Sequence, residues 1–243
     1  MSIEILRPEW PAPPRVGAFM STRAGGVSVG RYASLNLGDH VGDRADAVAA
    51  NRGRLGAMVP ATPRWLSQVH GVNVVDAAQV HDGHEADAAI CRTPGVACAV
   101  MTADCLPLLF CDRAGTVVGA AHAGWRGLLD GVIEATLDAM GEPPSQILTW
   151  FGAAIGPEAF EVGEEVRAAF LAADPAAETA FSPGRADGKW MADLYALARQ
   201  RLVRAGVRHV FGGNCCTHAD AARFFSYRRD GVTGRMAALI WLS

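Results

Sequence analysis

Three residues in this chain carry the right atoms for chemistry at a metal: His70, Cys105 and His122. Imidazole nitrogen and thiolate sulfur are ligands that a borderline-soft divalent ion prefers, and catalytic zinc sites take three protein ligands and leave a further position for water or substrate. Each of the three ends an apolar segment and stands beside small residues, namely Gly71, Ala103 and Ala123-Gly124. A sheet edge can bring such positions to one point. The separations are not the local pairs of a zinc finger, so spacing alone also admits hydrogen-bonded structural histidines and a packing cysteine. The same set reads equally as a Cys-His hydrolase, with Cys105 as nucleophile and His122 or His70 as base, or as a copper-binding redox module.

The elements that must position these residues follow from hydrophobic period and turn chemistry. Val16 to Met20 reads as a strand entering the glycine-bearing turn Ser21-Thr22-Arg23-Ala24-Gly25-Gly26. Asp43 is placed to N-cap a helix that runs to about Met58, and Arg64 to His70 reads as a strand stopped by Gly71. Ala97 to Thr102 and Leu106 to Cys111 are buried strands, and a turn at Asp112-Arg113-Ala114-Gly115 returns the chain along Thr116 to Ala121. Gly124 to Met140 has helical period, so a helix follows His122 directly. Farther on come a strand (147–154), helices at about 163–172 and 193–205, and strands around 207–211, 224–228 and 236–242. Strands and helices mixed without strict alternation point to an α+β layered sandwich with mixed sheets.

Composition narrows the partners. Half the 243 residues are hydrophobic and 19% are charged, the balance of a globular chain with one core and not of a disordered one. A net charge of -3 without runs of like charge speaks against nucleic acid or a membrane surface and for small molecules. Residues 1–14 lack the basic and apolar regions of a secretory signal, and no apolar run reaches the roughly 18 residues of a membrane span. Of the six cysteines, Cys91, Cys98 and Cys111 lie in apolar runs and read as core; reduced thiols in a cytoplasmic protein are expected. Cys215-Cys216 with His218 is a second candidate cluster, but neighbouring residues on a strand face opposite ways and rarely chelate together. His40, His81, His84 and His209 read as solvated. His84-Glu85 is not the His-x-Glu of nucleobase deaminases, and no Pro-Cys-x-x-Cys follows.

Separated strings in this order, Ser21-Thr22-Arg23-Ala24-Gly25-Gly26-Val27-Ser28, Ser34-Leu35-Asn36-Leu37-Gly38, Gln68-Val69-His70-Gly71, Thr102-Ala103-Asp104-Cys105-Leu106-Pro107, Ala121-His122-Ala123-Gly124-Trp125-Arg126 and Phe224-Phe225-Ser226-Tyr227-Arg228-Arg229-Asp230 through Gly234-Arg235-Met236, resemble the laccase-domain family, also called multicopper polyphenol oxidase-like proteins. The resemblance covers roughly residues 16–242. It implies an α-β-β-α sandwich forming one catalytic domain over 1–243, with 1–15 as an N-terminal extension. It also implies Zn2+ on His70, Cys105 and His122, phosphorolysis of adenosine, inosine and methylthioadenosine, and deamination of adenosine. The older assignment within the family is copper-dependent phenol oxidation. Seven histidines and no His-x-His pair leave no ligands for a trinuclear copper cluster, although Cu2+ could occupy the triad alone. The doubled cysteine at 215–216 departs from the family's more usual single one.

Roles follow from the chemistry required. Asp104, beside Cys105, could orient a water or move its proton, or simply serve the turn. Phosphorolysis needs cations that hold an anion against C1′ of the ribose, and Arg23, Arg126, Arg228 and Arg229 are the candidates, Arg23 and Arg228 foremost. Each could instead form structural ion pairs. Asn36 and Gln68 could hydrogen-bond ribose or base, and Phe19, Tyr32 or Phe225 could stack on it.

Overall fold

In a computed structural model, described for residues 2–243, the chain forms an α-β-β-α arrangement around two six-stranded mixed sheets. The first sheet runs in the order Ile5–Leu6, Val16–Ser21, Met236–Leu242, Val96–Thr102, Thr62–Ser67 and His84–Glu85. Its first four strands pair antiparallel, and the last two join in parallel. The second sheet runs His209–Gly212, Ile147–Phe151, Leu106–Asp112, Val118–Ala123, Ala88–Cys91 and Val74–Asp76, with parallel pairs only at its two edges. A small third sheet joins Glu161–Gly163, Lys189–Ala192 and Phe181–Pro183.

Side chains alternate along each strand, so one strand feeds two cores. Between the sheets, Cys98, Val100, Met236, Ala238 and Ile240 meet Leu109, Cys111, Val118 and Ala120. The other face of the first sheet, with Phe19, Met101, Leu239 and Trp241, packs on Leu35, Leu37 and Leu55, the last from the helix Ala45–Gly56. The other face of the second sheet, with Leu108, Phe110 and Ala121, is covered by residues of the helices Val132–Met140, Glu164–Ala173 and Leu194–Arg204. Burying one such Leu or Phe is worth about 1.5–3 kcal/mol. Cys91, Cys98 and Cys111 belong to the inter-sheet core and all six cysteines are unpaired.

Several local expectations are corrected. Asp43 does not cap the first helix: Arg44 occupies the N-cap position, while the Asp43 carboxylate accepts from Ser28 and Asn36. The helix expected over 124–140 breaks at Gly131, whose φ of 105° divides it into Trp125–Asp130 and Val132–Met140. The chain at 224–228 is not a strand; Phe224 and Phe225 plug the inter-sheet core and a short helix, Tyr227–Asp230, follows the Ser226 cap. The strand before His70 ends at Ser67. Residues Ile5–Leu6 of the N-terminal extension add an edge strand to the first sheet. No helix of the described residues is long and apolar enough to cross a membrane.

Candidate metal centre

The two sheets converge at one end of the sandwich on a single cluster. One ligand atom from each of His70, Cys105 and His122 lies within 4.8 Å of the other two. His122 comes from the end of the strand Val118–Ala123, where it pairs with Pro107. Cys105 precedes the strand Leu106–Asp112, in the turn joining one sheet to the other. His70 sits in the turn after Thr62–Ser67. The Cys105 Sγ is 3.9 Å from His70 Nε2, and the two imidazoles stand edge to face with centroids 4.8 Å apart.

Two residues hold left-handed backbone that only glycine adopts freely: His70 at φ 64° and Asp104 at φ 100°. Both are pinned by carboxylates. Asp87, fully buried, accepts the backbone N–H groups of Val69 (3.1 Å), His70 (2.9 Å) and Gly71 (2.7 Å) and is 2.8 Å from His122 Nδ1. Its own carbonyl accepts the His122 N–H at 2.7 Å. The Asp104 carboxylate accepts the Thr217 hydroxyl at 2.6 Å and the Arg228 N–H at 2.7 Å, tying three distant segments together. Sequence reading missed Asp87 because it lies far along the chain from both histidines; its only signal was a charged residue inside the apolar run Ala86 to Cys91.

Small residues let the elements close on the cluster. A Cβ at Gly124 would stand 2.7 Å from His70 Cδ2 and 3.1 Å from Cys105 Sγ, and one at Gly127 would stand 2.8 Å from the Gly71 carbonyl.

Electrostatics favour a thiolate. Burial alone would raise the Cys105 thiol, but the charge of His122 and hydrogen bonds from His122 and His70 bring its pKa below the ordinary value. Burial would lower His122, yet Cys105 and Asp87 carry its pKa above the usual imidazole value. Burial likewise pushes Asp87 up, and the hydrogen bonds from His122 and the backbone at Gly71 and Val69 more than reverse it. The donor set fits a borderline-soft ion: two imidazoles, one thiolate, and a carboxylate on His122 Nδ1 that leaves Nε2 as its free ligand atom.

A cavity of about 400 Å³ opens on the cluster, lined also by Gln68, Met101, Thr102, Asp104 and Arg228. Gln68 hydrogen-bonds the Met101 backbone through both ends of its amide, at 2.8 and 2.7 Å. The other three arginine candidates, Arg23, Arg126 and Arg229, are directed elsewhere. Arg23 stacks on Phe225 and donates to the Ala33 and Ala221 carbonyls; Arg229 donates to the carbonyls of Thr217, His218 and Phe224 and pairs with Asp230. Arg126 is exposed over the Trp125 ring. Asn36 is buried, bonded to Gly38, Asp43 and the Arg235 N–H. Phe19 and Phe225 are core residues, and the Tyr32 hydroxyl donates to Val41. Cys215 and Cys216 lie in a loop, not a strand, and line a separate cavity with Tyr195 and Arg199.

Fold and site together define a sandwich protein with one His-Cys-His centre able to hold a metal ion. Residues 17–243 match the family model described as multi-copper polyphenol oxidoreductase laccase, and the chain belongs to that family. A purine nucleoside phosphorylase of Pseudomonas aeruginosa is 57% identical over 237 residues, 98% of each chain. The purine nucleoside phosphorylase YfiH of Escherichia coli is 54% identical over 98% of this chain and 99% of its own. Among solved structures, a Neisseria meningitidis protein superimposes with a TM-score of 0.96 at 54% identity, covering 98% of this chain and 99% of that one. YlmD of Geobacillus stearothermophilus gives 0.85 at 32% identity, covering 98% and 96%.

Proposed function

We propose that this protein is a zinc-dependent purine nucleoside phosphorylase of the cytoplasm, acting on adenosine, inosine and methylthioadenosine and also deaminating adenosine. The observation that carries this reading is the triad itself: three ligands of a catalytic zinc type, with a cavity of nucleoside dimensions opening directly on them. A zinc ion held there would supply a Lewis acid. The chain's own side chains do the rest. Gln68 and Arg228 line the cavity and are the substrate-binding candidates whose position suits direct contact; Arg23, Asn36 and Arg229 would act by holding the surrounding loops. In phosphorolysis a phosphate oxygen bonds to C1′ of the ribose as the C1′–N bond breaks, and the base leaves with the electron pair and takes up a proton. In deamination water adds at C6 of adenine and ammonia departs. Asp104, which accepts from Thr217 and from the Arg228 N–H, would hold the 226–230 segment against the cavity, and its remaining lone pairs could still orient a water.

A second reading rests on a separate observation, the chain of contacts Cys105, His122, Asp87, which also describes a thiol nucleophile, its base and an orienting carboxylate. Copper-dependent phenol oxidation is the least supported, because among the described residues only this one cluster of metal-binding side chains converges.

Incubating purified protein with adenosine and phosphate, with and without chelator, and resolving adenine, inosine and hypoxanthine decides the matter. Phosphate-dependent adenine that disappears with chelator and returns with zinc supports phosphorolysis; inosine formation supports deamination. Metal-free protein that is inactivated by one equivalent of a thiol alkylator would replace this reading with the hydrolase.

A further inference from the structure

The cavity beside the triad has lining residues to which no role is given above: His40, Tyr227 and a second arginine, Arg235, join Arg228 there. Arg235 immediately precedes the strand Met236–Leu242, Tyr227 and Arg228 open the short helix, and His40 lies in the turn after Gly38.

Their hydrogen-bonding capacity is largely unused. Arg228 donates from Nη1 to the Glu161 carbonyl at 2.7 Å, and Arg235 from Nη1 to the Thr233 and Gly234 carbonyls at 3.0 and 3.1 Å. Among the described residues neither guanidinium has a carboxylate partner, and Nε and Nη2 of both bond to no protein atom. Asp104 is the single carboxylate lining the cavity, and each of its oxygens accepts a hydrogen bond, from the Thr217 hydroxyl and the Arg228 N–H. Asp39, 3.5 Å from His40 Nδ1, also pairs with Arg52 at 3.2 Å. Burial lowers the Arg235 pKa from its ordinary value, with Cys105 and Asp104 opposing the shift, but a guanidinium stays charged at neutral pH.

Arg235 is also held in place from below. Its N–H donates to Asn36 Oδ1 at 2.9 Å and its carbonyl accepts from Leu37 at 3.1 Å. Its stem lies against Gly38, where an added Cβ would come within 2.8 Å of Arg235 Cγ. Residues 36–38 thus hold the backbone and stem of Arg235. Two guanidiniums with free donors and no acidic partner, Arg235 held from below and Arg228 exposed at the surface, match a tetrahedral oxyanion.

We propose that Arg235 and Arg228, with His40 at the rim, form the subsite for inorganic phosphate, Arg235 being the principal contact. The assignment rests on the phosphorylase reading above, and its test separates the two. Zinc-loaded wild type, Arg235→Gln, Arg228→Gln and His40→Gln are compared in initial-rate kinetics varying phosphate at saturating adenosine and the reverse. Inorganic phosphate binding is followed in parallel by calorimetry, with sulfate as competitor. The expected result is a KM for phosphate raised roughly 10-fold or more in Arg235→Gln, the loss of a charge-assisted hydrogen bond, with the KM for adenosine within about twofold of wild type. Arg228→Gln and His40→Gln, which alter side chains at the surface, carry the test if Arg235→Gln does not fold, and each raises the phosphate KM alone. Phosphorolysis with an unchanged phosphate KM in the folded variants overturns the subsite and leaves the phosphorylase reading intact. Phosphate binding that weakens in the variants of an enzyme without phosphorolytic activity keeps the subsite and rejects the reading. A wild type that binds no phosphate in either assay overturns the subsite.

Discussion

Asp87 Oδ1 lies 2.8 Å from His122 Nδ1, and the same carboxylate holds the backbone N–H groups on either side of and at His70. One buried acid therefore orients two ligands that come from different elements. Replacing it by asparagine keeps the volume but turns one acceptor into a donor that faces donors. Asp87→Asn is expected to weaken zinc binding about 10- to 100-fold, read by competition with a chromophoric chelator. Unfolding of the metal-free protein should show a loss of about 1–3 kcal/mol. Wild-type zinc affinity in the folded variant would show that Asp87 does not position the ligands.

Gly124 has no room for a side chain. Gly124→Ala places a methyl 2.7 Å from the His70 ring and 3.1 Å from the Cys105 sulfur, so the ligands must separate. Cobalt-substituted protein should lose intensity in its thiolate charge-transfer band, while far-ultraviolet circular dichroism stays native. An unchanged cobalt spectrum would mean that the helix Trp125–Asp130 yields instead of the ligands.

Asp104 joins Thr217 to the Arg228 N–H across 113 and 124 residues of chain. Asp104→Ala strands two donors and should cost about 2–4 kcal/mol in denaturant unfolding, with a raised KM for phosphate because Arg228 loses its anchor. If stability is unchanged while kcat alone collapses, the carboxylate handles a proton and the structural role is wrong.

Arg229 stands next to Arg228 in sequence but is directed at the carbonyls of Thr217, His218 and Phe224. Arg229→Ala should lower the melting temperature by several degrees, as the loss of roughly 1.5–3 kcal/mol implies. Its KM for phosphate should move less than that of Arg228→Gln. The reverse order of effects would put Arg229 in the cavity.

Local order was legible where physics is local. Unbroken apolar runs located Val96–Thr102, Leu106–Asp112 and Met236–Leu242 to within a residue or two, and the helix expected over 193–205 falls at Leu194–Arg204, with Asp193 as its N-cap. It failed where long-range packing overrode a local preference. Phe224 and Phe225 look like strand residues, yet the inter-sheet core took both rings and the chain then turned into a helix. The Gly131 break in the second helical segment needs only one left-handed residue, which a helical period does not register.

The sequence by itself determined a layered α+β architecture with mixed sheets and the side-chain types at His70, Cys105 and His122, because residue chemistry and hydrophobic period are properties of the string. The family and the α-β-β-α order rested on the resemblance of its separated motifs. Only the tertiary structure decided that the three ligand atoms lie within 4.8 Å, that Asp87 orients them, and which arginines face the cavity. Adjacent Arg228 and Arg229 cannot be told apart in the string. The short helix turns their side chains toward different surroundings, and the contacts waiting there come from segments a hundred residues or more away.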